Sequence, residues 1–169
     1  MPDRKTLQRV ARDKREGKSP STQAGEFVRE EIDHIREGKH GARSPQQAIA
    51  IGLSKARRAG IDLKPPSPEK ASASTRRKAE RDYQRGHGRA AARGASRSRR
   101  TAVSRALKRE PRESASPRAL GVQARIAATR RSSSQRSAAA KRAARTKGHA
   151  KRSGTAMKAA RTRASHRRT

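Results

Sequence analysis

The feature that most constrains the fold of this chain is an excess of positive charge, most of which follows residue 63. Residues 1–63 contain 14 basic and 9 acidic residues, whereas residues 64–169 contain 32 basic and 5 acidic residues. The formal net charge of the whole chain is +32, and charge repulsion of this size opposes any compact state that no anion neutralises. The sequence therefore predicts a polyanionic partner.

The second constraint is a shortage of apolar side chains that could offset the entropy lost on folding. Hydrophobic residues make up 30% of the chain and aromatic residues 1%. From Pro68 onward the sequence consists mainly of Ala, Arg, Ser, Gly and Lys, a composition typical of disordered segments. We therefore expect a mostly α fold class with extensive disorder. Residues 117–131 and 137–147 combine good helix formers with basic residues and are predicted to be nascent helices that form once phosphates neutralise them.

Two helices are predicted in the front part of the chain. The first covers residues 22–37 and ends at Gly38, which suits a left-handed cap. The second begins with Ser44 as its N-cap and Pro45 in its first turn, and Gly60 ends it. The apolar residues of the first helix recur at helical spacing and form one stripe: Ala24, Phe27, Val28, Ile32 and Ile35. The short connection predicts a small two-helix hairpin that is similar to a helix-turn-helix.

A proline-rich stretch, KPPSPEK at residues 64–70, marks the predicted domain boundary. Its three prolines stop a helix and favour an extended backbone. The predicted segments are a basic N-terminal arm over 1–20, a helical hairpin module over 21–63, a Pro-rich linker over 64–70 and a long disordered, low-complexity Arg/Ala/Ser-rich tail over 71–169.

Two helices of this length bury little apolar area between them, so the hairpin is expected to need further contacts. The small residues Ala48, Gly52 and Ala56 recur every four positions and would let another helix approach closely. A homodimer through this surface is one expectation. The alternative is that these residues face the first helix of the hairpin.

The density of arginine in the tail favours nucleic acid as the polyanion. Of the 32 basic residues in 64–169, 24 are Arg, whose planar guanidinium suits phosphate oxygens and narrow grooves. Near the hairpin, the candidate phosphate-binding residues are Arg43, Lys55, Arg57 and Arg58. In the tail, representative candidates are Arg76, Arg77, Arg97, Arg99, Arg100, Arg130, Arg131, Lys141, Arg142 and Arg145.

Other classes of site are not expected from these residues. The chain has no Cys, which excludes disulfides and thiolate metal sites, and it shows no apolar segment of transmembrane length. We expect no catalytic residues, cofactor or small-molecule substrate, since so little core could hardly hold a preorganised site. Glu30, His34 and Glu37 would share a helix face, but this pattern is more typical of a solvated face than of a metal site.

The front module resembles a known group of bacterial sequences. KREGKSPSTQAGEFVREEIDHIREGKHGARSPQQAIAIGLSKARRAG, residues 14–60, is similar to a bacterial domain of unknown function that precedes Arg/Ala-rich tails in small basic proteins often labelled DNA-binding. The tail is also similar in composition to the basic extensions of histone-like nucleoid proteins. The resemblance implies a bacterial origin and a shared core, and it implies no reaction.

The sequence therefore predicts a non-enzymatic, sequence-independent DNA-binding protein, associated with the nucleoid in the bacterial cytoplasm, that acts by neutralising phosphate. DNA is favoured over RNA. An RNA- or ribosome-associated basic protein is the alternative within the same class, because arginine-rich segments also fold on RNA. A protein-interaction adaptor with a basic tail is the third hypothesis.

Overall fold

The computed structural model describes residues 2–88 and 96–146, and the regular secondary structure in these ranges is all helix, without a strand. The mostly α prediction is therefore confirmed for the described part of the chain. Residues 1–123 and 124–169 form two compact units. The expected disorder at 89–95 and 147–169 lies outside the described residues. The helices are α1 Arg4–Arg15, α2 Pro20–Arg36, α3 Pro45–Arg58, α4 Ala73–Gly86, α5 Arg97–Arg109, α6 Pro117–Thr129 and α7 Ser133–Thr146, with a 3-10 turn at Glu113–Ala115.

A serine precedes each of the helices α2 to α7 and caps it. The side-chain oxygen accepts a hydrogen bond from the backbone N–H three residues later, over 3.2–3.4 Å. Such a bond satisfies one of the donors that a helix N-terminus leaves free. These serines explain why helices begin where they do within a sequence of low complexity. They are Ser19, Ser44, Ser72, Ser96, Ser116 and Ser132.

Helices α2 and α3 end at the predicted glycines. Gly38 and Gly60 follow the C-caps with φ of 77° and 84°, a conformation that costs glycine little. The residue after each glycine donates its N–H back into the helix, from Lys39 to His34 O at 3.0 Å and from Ile61 to Ala56 O at 3.2 Å. This pattern is the Schellman motif, and it turns the chain sharply after each helix.

Helices α2 and α3 pack closely through small residues. Ala48, Gly52 and Ala56 of α3 are all buried. A Cβ atom added at Gly52 would lie 2.6 Å from the Cα atom of Val28, so the two helix backbones are nearly in contact. The alternative expectation, that these residues face the first predicted helix, is confirmed. Because α2 covers Gly52, the structure gives no support to a homodimer through these small residues, and the homodimer stays a prediction.

The predicted small two-helix hairpin module is not confirmed, because α2 and α3 belong to a larger helical core. Val10 of α1 joins Ala24, Phe27, Ala56 and Ile61 in one buried cluster. The segment that was expected to be a basic arm over 1–20 therefore contains a packed helix. The arm was mispredicted because α1 contributes few apolar side chains, and burial of Val10 and the polar Thr6 depends on the neighbouring helices.

A second buried cluster brings a distant part of the chain to the hairpin. Ala115 packs with Ile35, Ala42 and Ala48, and all four are fully buried. Ala115 lies in the segment 71–169 that was expected to be a disordered tail. In the described residues, helices α4 to α7 occupy much of that segment. Composition did not reveal these helices. The alanine and arginine that make this segment low in complexity and highly charged are also strong helix formers.

Helix α4 docks on α3 through a close approach at its end. A Cβ atom at Gly86 would lie 1.9 Å from Arg57 O, and Ala79 is buried. Polar contacts support the docking: the Ser54 hydroxyl donates to Asp82 at 2.5 Å. The residues 64–70 between α3 and α4 form no helix, as expected of the proline-rich linker.

Candidate nucleic-acid interface

Helix α5 is the most strongly cationic element in the described part of unit 1–123. Over its 13 residues it holds six basic side chains, no acidic one and no buried residue. At 3.6 residues per turn, all of these except Arg99 fall on one half of the helix circumference. We call this surface the cationic face of α5. Its members are Arg97, Arg100, Arg105, Lys108 and Arg109.

The end of α5 is held against the loop between α2 and α3. The N–H of Gly41 donates to Leu107 O at 2.8 Å, and the N–H of Ala42 donates to Pro111 O at 3.0 Å. Arg36 Nε also donates to Ala115 O at 2.9 Å. These bonds anchor the C-terminal end of a fully solvated basic helix on the helical core.

The candidate cations of α3 are largely engaged within the chain. Lys55 Nζ lies 2.5 Å from Glu31 Oε2. Arg57 is 8% exposed and its Nε donates to Leu63 O at 3.0 Å. Burial lowers the pKa of Arg57, because removal from water disfavours the charged guanidinium. The structure therefore places Lys55 and Arg57 in internal contacts rather than at the surface.

The other two candidates near the hairpin are exposed. Arg43 lies just before α3, where its backbone N–H donates to Gln47 Oε1 at 2.8 Å. Arg58 lies in the last turn of α3, with its Nε 3.7 Å from Asp82 Oδ1. Both guanidinium groups can reach a phosphate in solvent, but Arg58 would do so in competition with a carboxylate.

Helix α4 presents a second basic surface. Arg77 is exposed and Arg76 is half-buried. Both line a groove between the helix and the proline-rich linker, which Pro65 also lines. The remaining lining residues include one acid, so this groove is less uniformly positive than the cationic face of α5. They are Ala73, Ser74, Lys78, Glu80 and Arg81.

The remaining candidates lie in the unit 124–169. Arg130 and Arg131 are exposed at the turn that follows α6, and Arg131 O accepts a hydrogen bond from Arg136 Nη1 at 2.6 Å. Lys141 and Arg142 are exposed on α7. Arg145 belongs to the same helix. The candidates Arg97, Arg99 and Arg100 belong instead to α5 of the unit 1–123.

Sequence reasoning missed half of the cationic helix. Arg105, Lys108 and Arg109 lie on α5 together with the candidates Arg97 and Arg100. The signal that would have found them is the helical spacing of basic residues after the Ser96 cap.

The first turns of the helices add to the positive field. No α-helix in the ranges 2–88 and 96–146 has an acidic residue in its first turn. Acids at that position commonly balance the positive end of the helix dipole. Their absence leaves these N-termini favourable for phosphate oxygens.

Acidic residues are concentrated on and around α2, away from the first turns. Glu30 and Glu31 are buried, and Glu26 pairs with Arg9 of α1. Lys18 pairs with Asp13 at 2.7 Å. Basic residues of the front helices are thus partly neutralised inside the core, whereas no acid among the described residues pairs with the cations of α5.

Comparisons with protein-family models, curated proteins and solved structures give no match for this chain. Within the described ranges, none of the helices has the length and apolar character needed to cross a bilayer.

Proposed function

We propose that this protein binds duplex DNA without sequence preference and neutralises its phosphates, as a non-enzymatic nucleoid-associated protein. The observation that carries the proposal is the cationic face of α5, which is fully solvated and has no acidic partner in the described chain. A solvated helix of one charge gains most when a polyanion approaches it. The resemblance of residues 14–60 to domains of basic, DNA-binding-labelled bacterial proteins agrees with this function and with a cytoplasmic, nucleoid location.

The dimensions of α5 suit a phosphate backbone. Its 13 residues span about 20 Å at 1.5 Å per residue. One strand of B-DNA presents a phosphate about every 3.4 Å, so about six phosphates lie within reach of that length. Arginine can bind phosphate oxygens through two parallel hydrogen bonds, and it stays charged at any ordinary pH.

Sequence independence follows from the kinds of contact that the helix offers. Phosphate contacts fix position on the duplex and carry no direct base information. Readers of base edges often use Asn and Gln as well as Arg, and α5 has neither amide side chain. We therefore propose that α5 and the basic segments 130–142 coat the backbone.

The experiment compares two charge-matched variants of the full chain. The first replaces Arg97, Arg105 and Lys108 with Gln and removes three charges from the cationic face of α5. The control replaces Arg4, Lys5 and Arg15 with Gln, which removes three exposed charges from α1. Both variants have the same net charge, so any difference between them depends on where the charges lie.

The readout is the slope of log K against log salt on a random duplex. The slope should become less negative by about 2 to 3 in the α5 variant, because each lost phosphate contact changes it by about 0.9. The control variant should change it by less than about 1. Equal changes in both variants would show that net charge alone, and not α5, drives binding.

A further inference from the structure

A buried polar cluster at the C-terminal half of α2 has no role in the proposed DNA binding. Glu31, His34 and His40 each offer a ligand atom, and these atoms lie within 4.8 Å of one another. Glu31 and His34 are on α2, and His40 is in the loop that follows it. We propose that these three residues bind a Zn²⁺ ion that fixes the α2–α3 loop.

Glu31 is the ligand whose surroundings most favour metal binding. Its side chain is 1% exposed, and neither carboxylate oxygen has a hydrogen-bond partner in the structure. Lys55 Nζ lies 2.5 Å from Oε2, and His40 Nε2 lies 3.2 Å from Oε1, but neither contact has hydrogen-bond geometry. A buried carboxylate without hydrogen bonds is costly, and a metal bound at Oε1 would remove that cost.

His40 is oriented in the way that metal-binding histidines usually are. Its Nδ1 lies 3.0 Å from Gly41 O, a carbonyl that can only accept a hydrogen bond. If Nδ1–H donates to this carbonyl and the ring is otherwise unprotonated, the lone pair is on Nε2, and Nε2 is the atom that faces Glu31 Oε1. Two acceptors then face each other at 3.2 Å, which a cation between them would reconcile.

His34 also has an outer partner. Its Nε2 lies 3.1 Å from Asp3 Oδ2, and a carboxylate bonded to a ligating histidine is a common arrangement around zinc. Asp3 is itself positioned by its backbone N–H, which donates to Glu30 Oε2 at 3.0 Å. The cluster thus has both ligands and supporting groups.

The ligand set selects the class of metal. Two imidazoles and one carboxylate suit Zn²⁺, which binds nitrogen at about 2.0–2.1 Å and carboxylate oxygen at about 2.0–2.2 Å in tetrahedral geometry. At those bond lengths the three ligand atoms must move closer together than their present 4.8 Å limit. Metal binding at this site would therefore draw the three ligand atoms closer together, and the proposed fourth ligand is a water molecule.

The location suggests a structural purpose for the metal. His40 immediately precedes Gly41 and Ala42, whose N–H groups hold residues 107 and 111. A metal that ties His40 to α2 would fix this loop and, with it, the anchor of α5. Lys55 stays paired with Glu31 Oε2 and balances charge from the α3 side.

The test uses the untagged full chain with Co²⁺ and Zn²⁺ as probes. Co²⁺ should give the intense visible absorption of a tetrahedral nitrogen and oxygen site, and equimolar Zn²⁺ should abolish it. Zn²⁺ should also raise Tm in a concentration-dependent way, because ligands of the folded state stabilise it. His40→Gln and Glu31→Gln should each weaken Co²⁺ binding at least tenfold.

Two control variants distinguish this site from weaker alternatives. Glu37→Gln removes an exposed acid at the C-cap of α2, and His87→Gln removes a histidine that stacks on Tyr83 of α4. Both should bind Co²⁺ as the natural chain does. Octahedral or absent Co²⁺ absorption in the natural chain would overturn the proposal whatever the variants do. Equal losses in Glu37→Gln and His40→Gln would overturn it as well.

Discussion

The docking of residues 107–115 on the helical core can be broken by adding one methyl group at Gly41. A Cβ atom there would lie 1.8 Å from Glu110 O and 2.7 Å from Pro111 O. The same Cβ atom would lie 2.4 Å from the Glu110 carbonyl carbon, whereas non-bonded carbon atoms normally rest about 3.5–4.0 Å apart, so the two backbone segments must move apart. Gly41→Ala should therefore release the segment or strain it.

The expected cost follows from the contacts that would be lost. Overpacking of this kind costs about 1–3 kcal/mol, and each lost backbone hydrogen bond adds about 1 kcal/mol. The free energy of unfolding should therefore fall by about 2–4 kcal/mol. Urea unfolding followed by far-UV circular dichroism measures it, and limited proteolysis should show faster cleavage within 107–116.

Gly25→Ala is the matched control for this change. Gly25 is exposed within α2, and a Cβ there would have no neighbour within 4 Å. The same added methyl should therefore raise the free energy of unfolding by about 1 kcal/mol, since alanine favours helix over glycine. If Gly41→Ala and Gly25→Ala shift the urea midpoint equally, the docking of 107–115 on the core is refuted.

Two further predictions concern the core and its ion pairs. Gly52→Ala should destabilise the fold by about 1–3 kcal/mol in urea unfolding, because its Cβ would lie 2.6 Å from Val28 Cα; an unchanged midpoint would contradict the close α2–α3 packing. Hydrogen bonds from Lys18 to Asp13 and then Glu16 raise the pKa of Lys18 above 10.5. The stability that these ion pairs of Lys18 contribute is fully present below pH 10.5, and it is lost as the pH rises through the raised pKa of Lys18. The stability difference between the natural chain and Lys18→Met should shrink above that pH, and a constant difference would argue against the ion pair.

Local sequence signals predicted the helices of the hairpin closely. The expected helix over 22–37 is found at Pro20–Arg36, and the one capped by Ser44 and ended by Gly60 is found at Pro45–Arg58. Serine caps, proline in the first turn and a left-handed glycine act within a few residues, so a single sequence reveals them.

A further local signal would have predicted α1. The tetrapeptide Arg-Glu-Gly-Lys occurs at 15–18 and again at 36–39. In both places the glycine follows a helix with positive φ, as Gly17 and Gly38. The repeat marks residues 4–15 as a second helix with the same ending as α2, although its apolar residues are few.

Long-range packing could not be predicted from the sequence. Ala115 joins a core built around Ile35, and Arg36 reaches its carbonyl across 79 positions of the sequence. Contacts between small residues leave no apolar periodicity that would reveal them. The same limit applies to the site: Lys55 and Arg57 have the charge of phosphate-binding residues, and only their tertiary surroundings show that they are engaged inside the chain.

The measurement that tests the central proposal most directly is the salt dependence of binding by the full chain. Affinity is measured across a salt series on several unrelated duplexes of equal length and on a matched RNA hairpin. If about 8 to 12 phosphates are contacted, log K should fall against log salt with a slope of roughly −7 to −11 on every duplex. A shallow slope, a lasting hundredfold preference for one duplex, or consistently tighter binding to the RNA would contradict sequence-independent DNA binding.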